Sequence, residues 1–273
     1  LGPFDVLNLE TDDGTFQDDI KTMADLSGSV ITSDKPVAVF SGVETTSAPG
    51  GVLDIPTYPG WTDDSTCCLD HLEEQLFPVE SLGAKYVITR SPIRSSGSYH
   101  EPDVIRFVGA AEDSAIVTSL PAPFDKFLLK NGEVRTTWAD ADFVATGSKP
   151  FLVAQLQVSQ DYVDGNITGD PSLTIFPAVD QYRDQYRILT PADAGVWGWQ
   201  ANYVVLATEP TNVITLDGVE PAGCVVTPAG NVDGTEYESR RCPVSEGVHA
   251  LKGKTPFGVV AYGYGPAGSY AFP

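Results

Sequence analysis

The chain has 273 residues, 37 acidic and 16 basic, giving a formal net charge of −21 at pH 7. Hydrophobic residues make up 42% against 19% charged, enough apolar material for a packed core, so disorder is excluded as the overall state. The acidity excludes a nucleic-acid backbone or an anionic membrane leaflet as partner, since both are held by clustered Lys and Arg, and no run approaches the ~20 apolar residues of a membrane span. The sequence starts at Leu1, without an initiator methionine or a signal peptide, and reads as a processed or truncated chain whose targeting segment has gone.

In chain order, Ser29–Val39 reads as strand, polar turn, strand, the second strand opening at Pro36, where no ladder donor is needed. Leu69, Leu72 and Leu76 fall at i, i+3, i+7 and predict a short helix that Pro78 stops. Beyond it, β-branched and aromatic runs at 85–90, 104–108, 115–118, 151–154, 202–206 and 213–216, most of them bounded by Gly, Pro, Asp or Asn, predict short strands.

The sequence repeats internally. Ser29–Val39 matches Phe143–Val153, and both match His249–Val260; their prolines Pro36, Pro150 and Pro256 lie 114 and 106 residues apart. Leu76-Phe-Pro78 parallels Ile175-Phe-Pro177, and Lys85-Tyr-Val-Ile88 parallels Gln185-Tyr-Arg-Ile188. The chain divides into a partial unit at 1–50 and full units at 51–160 and 161–273, in one all-β module. Internally repeated, antiparallel β-sandwich-like units are the expected architecture, with a closed, propeller-like ring of repeats as the alternative. The strands missing from the first unit are expected from sequence before Leu1, from the C-terminal segment Tyr262–Phe272, or from a neighbouring copy.

These repeat residues also carry a family resemblance. Asp25–Gly42, then Cys68-Leu-Asp-His-Leu-Glu-Glu-Gln-Leu-Phe-Pro78 and Asp170-Pro-Ser-Leu-Thr-Ile-Phe-Pro177 with Gln181-Tyr182, resemble the N-terminal domain of the IgG-Fc-binding protein family. Two features depart from its pattern: Thr45-Thr46 stands where the family has its first Cys, and Cys67 sits beside Cys68 with one residue inserted before Asp70. The resemblance implies a secreted, non-catalytic module of mucus, surface-adhesion or matrix proteins, often part of a much longer chain.

The four cysteines, Cys67, Cys68, Cys224 and Cys242, are an even set without C-x-x-C spacing, and oxidation in an extracellular or cell-surface setting is expected. The preferred pairing is Cys224 with Cys242, leaving Cys67 and Cys68 as a vicinal ring, reduced, or bonded to another chain; the other connectivities staple the N-terminal half to the C-terminal repeat. A zinc site on Cys67, Cys68 and His71 lacks a fourth ligand. His71, beside Glu73 and Glu74, reads as a structural histidine rather than a general base, for no G-x-S-x-G nucleophile accompanies it. Asp161, Asp164, Asn166 and Asp170 concentrate oxygen ligands around glycines and are the candidate calcium ligands, although the spacing departs from the EF-hand pattern. No other cofactor is expected. Asn166-Ile-Thr168 is the single glycosylation sequon. Trp197 and Trp199 alternate onto one face and are the candidate partner-binding anchors, while Trp138 reads as core.

The expected function is an extracellular structural or adhesive module acting by protein–protein contact, with other copies of itself or extracellular proteins as partners. A calcium-dependent glycan-binding module is the second reading. An acidic hydrolase is the third, with no carboxylate pair standing out.

Overall fold

The computed structural model describes residues 2, 4–11, 25–49, 53–62, 69–110, 112–165, 168–192, 195 and 198–273. Over these residues the chain forms strands and short 3-10 turns, with no α-helix. A first pair comprises β1 (Phe40–Thr46) and β2 (Asp70–Gln75). The next unit runs through β3 (Lys85–Ile88), β4 (Asp103–Gly109), β5 (Ser114–Thr118), β6 (Lys126–Leu129), β7 (Val134–Ala139), β8 (Phe143–Gly147), β9 (Phe151–Gln157) and β10 (Leu173–Ile175). The last contains β11 (Arg183–Thr190), β12 (Ala201–Thr208), β13 (Ile214–Leu216), β14 (Val225–Val232), β15 (Thr235–Val244), β16 (Gly247–Gly265) and β17 (Gly268–Phe272).

The last two units share most of their strand pairing; the difference is that β6 pairs β5 whereas β14 pairs β15. In the earlier unit, sheet β3-β8-β5-β6 faces sheet β10-β9-β4-β7. The chain crosses from one sheet to the other at Ser148-Lys-Pro150, between β8 and β9. In the later unit, β11 and β13 pair with the first part of β16, while β12 and β17 pair with its second part, the changeover falling near Thr255-Pro256. Pro150 and Pro256 thus occupy equivalent sheet-crossing positions. Lys35-Pro36 lies in an exposed stretch leading to β1, and β1 pairs β2 as β9 pairs β10. All sheets are open and antiparallel, in a sandwich-like arrangement; none closes into the ring weighed as the alternative.

Three expectations are corrected. Ser29–Val39 forms no strand; this stretch is largely exposed, and among the described residues the chain first enters a sheet at Phe40. Residues 69–76 do not form a helix: 70–75 are strand β2, paired antiparallel with β1. Leu72 and Leu76 fit either period, but Leu69 falls on the other side and is 54% exposed, and pairing with β1 decides for the strand. Asp70, Leu72 and Glu74 turn inward, with Leu72 4% exposed, while His71, Glu73 and Gln75 face solvent. Nor does the C-terminal segment complete the first unit, because β17 pairs with β16 and completes its own.

The main apolar cluster spans both full units. Ile105, Phe107, Phe143 and Phe151 of the earlier one meet Val205, Val260 and Tyr262 of the later one. A second cluster, with Val204, Leu206, Phe257 and Cys242, fills the later sandwich. Asp217 and Gly218 both have positive φ, 54° and 86°, and form a tight turn after Leu216. Cys224, beside the Val225–Arg241 pair of the β14–β15 ladder, is bonded to Cys242, with Cα atoms 4.1 Å apart. The bond closes a short loop, so replacing both cysteines by Ser is expected to cost roughly 3 kcal/mol, read from urea unfolding. Cys67 and Cys68 lie outside the described residues.

Candidate functional site

A buried polar clamp holds the two full units in one arrangement. The Asp142 carboxylate accepts hydrogen bonds from Arg241, Thr227 Oγ1 and the Arg90 N–H, with the Asp142 and Arg241 side chains 1% and 7% exposed. Beside it, the Tyr262 hydroxyl donates to Gln155 Oε1 at 2.6 Å, Gln157 Nε2 donates to the Tyr264 hydroxyl at 2.6 Å, and that hydroxyl donates to Pro92 O at 2.8 Å. Asp103 accepts from Ser91 and Gln155; its burial holds the carboxyl above the usual carboxylate range, opposed by Arg90 and by the Ser91 hydrogen bonds. Asp142 with Arg241 and Thr227, Gln155 with Tyr262, and Gln157 and Pro92 with Tyr264 cross the unit boundary, so the clamp is structural.

The acidic loop is less tightly gathered than its sequence suggests. Asp161 sits in a 3-10 turn over Gln160–Tyr162, and Asp164 is tied through its backbone to Ser95 and Ser96. Asp170 is fully buried; one carboxylate oxygen accepts from the Gln160 N–H at 3.4 Å and the other has no hydrogen-bond partner. Among the described residues, no three His, Cys, Asp or Glu side chains form a group that could hold a metal ion. Asn166, the remaining candidate ligand and the sequon residue, lies outside the described residues.

Burial pushes the Asp170 carboxyl up from 3.8 to about 7, with Asp70 and Asp161 adding to the effect and the Gln160 N–H and Arg94 opposing it. Between about pH 4 and pH 7 the folded chain keeps a proton that the unfolded chain has released. Stability contributed by this site therefore falls as pH rises through that window and is level above it. Asp170→Asn is accordingly expected to exceed the parent by roughly 2 kcal/mol at pH 8 and to match it near pH 4, as read from urea unfolding at both pH values.

The remaining site is aromatic. Trp199, immediately before β12, stands edge-on to Tyr270 with ring centroids 4.9 Å apart, and Tyr270 stacks on Phe272 at 5.5 Å. All three are half-buried. Tyr270 is fixed by donating its hydroxyl to Asn202 Oδ1 at 2.7 Å. Its ring lies over Gly263, its cross-strand partner, where any Cβ would strike it. Next to this cluster runs a groove of about 350 Å3 lined by Trp199, Gln200, Asn202, Tyr203, Ser245 and Glu246 among others. Trp199 is thus on an accessible face, and Trp197 lies outside the described residues. Sequence reading missed Tyr270 and Phe272, although their alternation in Ser269-Tyr-Ala-Phe272 is a strand signal. Trp138 packs partly buried against Val104 and Ile55, and Trp61 stacks on Tyr162 at 5.3 Å. His71 is an exposed residue 3.2 Å from Glu73, and buried His249 contacts Asp217 and Ser245 O, an arrangement without a nucleophile.

The family described as IgGFc binding protein matches residues 1–263. The chain belongs to this family. A human relative named IgGFc-binding protein is 25% identical over 260 residues, which cover 92% of this chain. The chain spans about 4% of that relative's length. No solved structure matches it. Of the residues that carry the resemblance, Tyr182 packs against the cluster of Val87, Val144 and Ala207. Among the described residues, no helix is long and apolar enough to cross a membrane.

Proposed function

We propose that this chain is an extracellular structural or adhesive module, non-catalytic, that acts by protein–protein contact. The observation carrying this reading is the half-exposed cluster of Trp199, Tyr270 and Phe272, three large rings held rigid by Asn202 and by each other. Rigid aromatic side chains supply contact area at little entropic cost, and they dominate the energetics of protein interfaces. The name of the human relative, IgGFc-binding protein, makes the immunoglobulin Fc region the first ligand to try.

A second reading is a calcium-dependent glycan-binding module. It is favoured by the groove beside Trp199, where an aromatic wall faces Gln200 and Asn202, hydrogen-bonding groups suited to sugar hydroxyls. Its expected calcium ligands, Asp161, Asp164, Asn166 and Asp170, find no support in the described residues, where no three acidic or histidine side chains form a group that could hold the ion.

Immobilised protein is to be exposed to Fc fragments and to an array of secreted glycoproteins, native and enzymatically deglycosylated, with and without chelator. Binding that survives both treatments and falls with Trp199→Ala supports the protein-contact reading. Binding abolished by chelator or by deglycosylation overturns it in favour of the glycan reading, and a blank array overturns both.

A further inference from the structure

The earlier full unit meets the later one through positions that the later unit itself fills differently. With Pro150 aligned on Pro256, Gln155 and Gln157 of β9 correspond to Ala261 and Gly263 of β16. Strand pairing then makes Ser172 the equivalent of Tyr270, and Thr174 the equivalent of Phe272. In the earlier unit this face is polar and covered: Gln155, Gln157, Ser172 and Thr174 are 1%, 1%, 6% and 1% exposed, and Gln155 and Gln157 meet Tyr262 and Tyr264 of the following unit. In the later unit the same face is built of Tyr270 and Phe272, with Trp199 at its margin, and these rings stay partly exposed. The fold therefore presents, in apolar form, a face that it elsewhere uses to dock another unit.

The first unit has the matching surplus. Ten of the exposed large apolar side chains fall within residues 4–43, among them Val30, Ile31, Val37 and Phe40, the last 59% exposed. In the repeat alignment Phe40 stands where Val260 stands in the last unit, and Val260 is one of the residues packed against the preceding unit, 3% exposed. Among the described residues β1 pairs only with β2, and its other edge has no strand partner there, as an edge available to a further strand does.

We infer that the Trp199–Tyr270–Phe272 face docks the β1 face of a second copy of this chain, Phe40 entering the aromatic cluster as Val260 packs against the preceding unit. The inference rests on the protein-contact reading above and names its partner. The contact is heterologous, joining two different faces. Two copies each carrying a net charge of −21 repel, so an apolar contact between them strengthens as salt screens that repulsion.

Sedimentation velocity from micromolar to near-millimolar protein tests this. The parent is expected to associate, more strongly at high salt. Phe40→Asp, at an exposed side chain, and Phe272→Asp are each expected to weaken association about tenfold or more. Trp199→Glu serves as a second variant of the aromatic face should Phe272→Asp unfold, folding being checked by circular dichroism. Mixing the Phe40 variant with an aromatic-face variant is expected to restore a dimer, because each supplies the face that the other has lost. A parent that stays monomeric, association untouched by Phe40→Asp, weakening by salt, or a mixture that does not recover each overturns the inference. If Fc or array binding persists in those cases, only the partner is wrong, and the protein-contact reading stands.

Discussion

Asp142→Ala is expected to lower stability by about 3–5 kcal/mol, because it leaves the Arg241 guanidinium buried without a counter-charge. The substitution also strips the Arg90 N–H and the Thr227 hydroxyl of their acceptor. Both charged side chains are nearly inaccessible, 1% and 7% exposed, so water cannot take over the lost contacts. Asp142 precedes β8 in one full unit, while Thr227 and Arg241 lie on β14 and β15 of the other, so the loss falls on the junction between units. Urea unfolding is the measurement, since guanidinium screens the interaction under test. The double variant Asp142→Leu/Arg241→Met is expected to recover most of the loss, for an apolar pair of similar volume avoids the desolvation of both charges. A double variant no more stable than Asp142→Ala contradicts this account.

Phe107→Ala is expected to cost about 3–5 kcal/mol as well, by removing a fully buried ring and leaving a cavity. The ring centroid lies 5.3 Å from Phe127, 6.4 Å from Phe143 and 6.3 Å from Phe151, so β4, β6, β8 and β9 all lose a neighbour. Val117→Ala, 55% exposed on β5, is the matched control and is expected to change stability by less than about 0.5 kcal/mol. A cost for Phe107→Ala no larger than that of the control contradicts the assigned core. Because the main apolar cluster runs through both full units, loss at Phe107 is expected to lower the unfolding midpoint of both together.

The segments rich in β-branched residues are legible as strands because their preference is local: 104–108 and 202–206 lie inside β4 and β12. The strand–turn–strand repeat is legible for the same reason, since a proline tolerated at a sheet crossing leaves its mark in the sequence twice, at Pro150 and Pro256. Residues 69–76 show where local pattern ends. Leu69, Leu72 and Leu76 fit a helical stripe, and only the ladder with β1, some thirty residues earlier, selects the two-residue period. The candidate site divides in the same way. Trp199 is visible as an aromatic residue in a Gly-rich stretch, but Tyr270, 71 positions later, joins it only because β17 folds back on β16 and Gly263 leaves room for the ring. The clamp is entirely of this second kind: Asp142 and Arg241 are 99 residues apart, and neither is marked by its neighbours. Strand type, turns and repeats are set by residues in contact along the chain, and these the sequence determined. Which faces are buried, which charges pair and which aromatic rings stay exposed depend on long-range register, and register exists only once the sheets have packed.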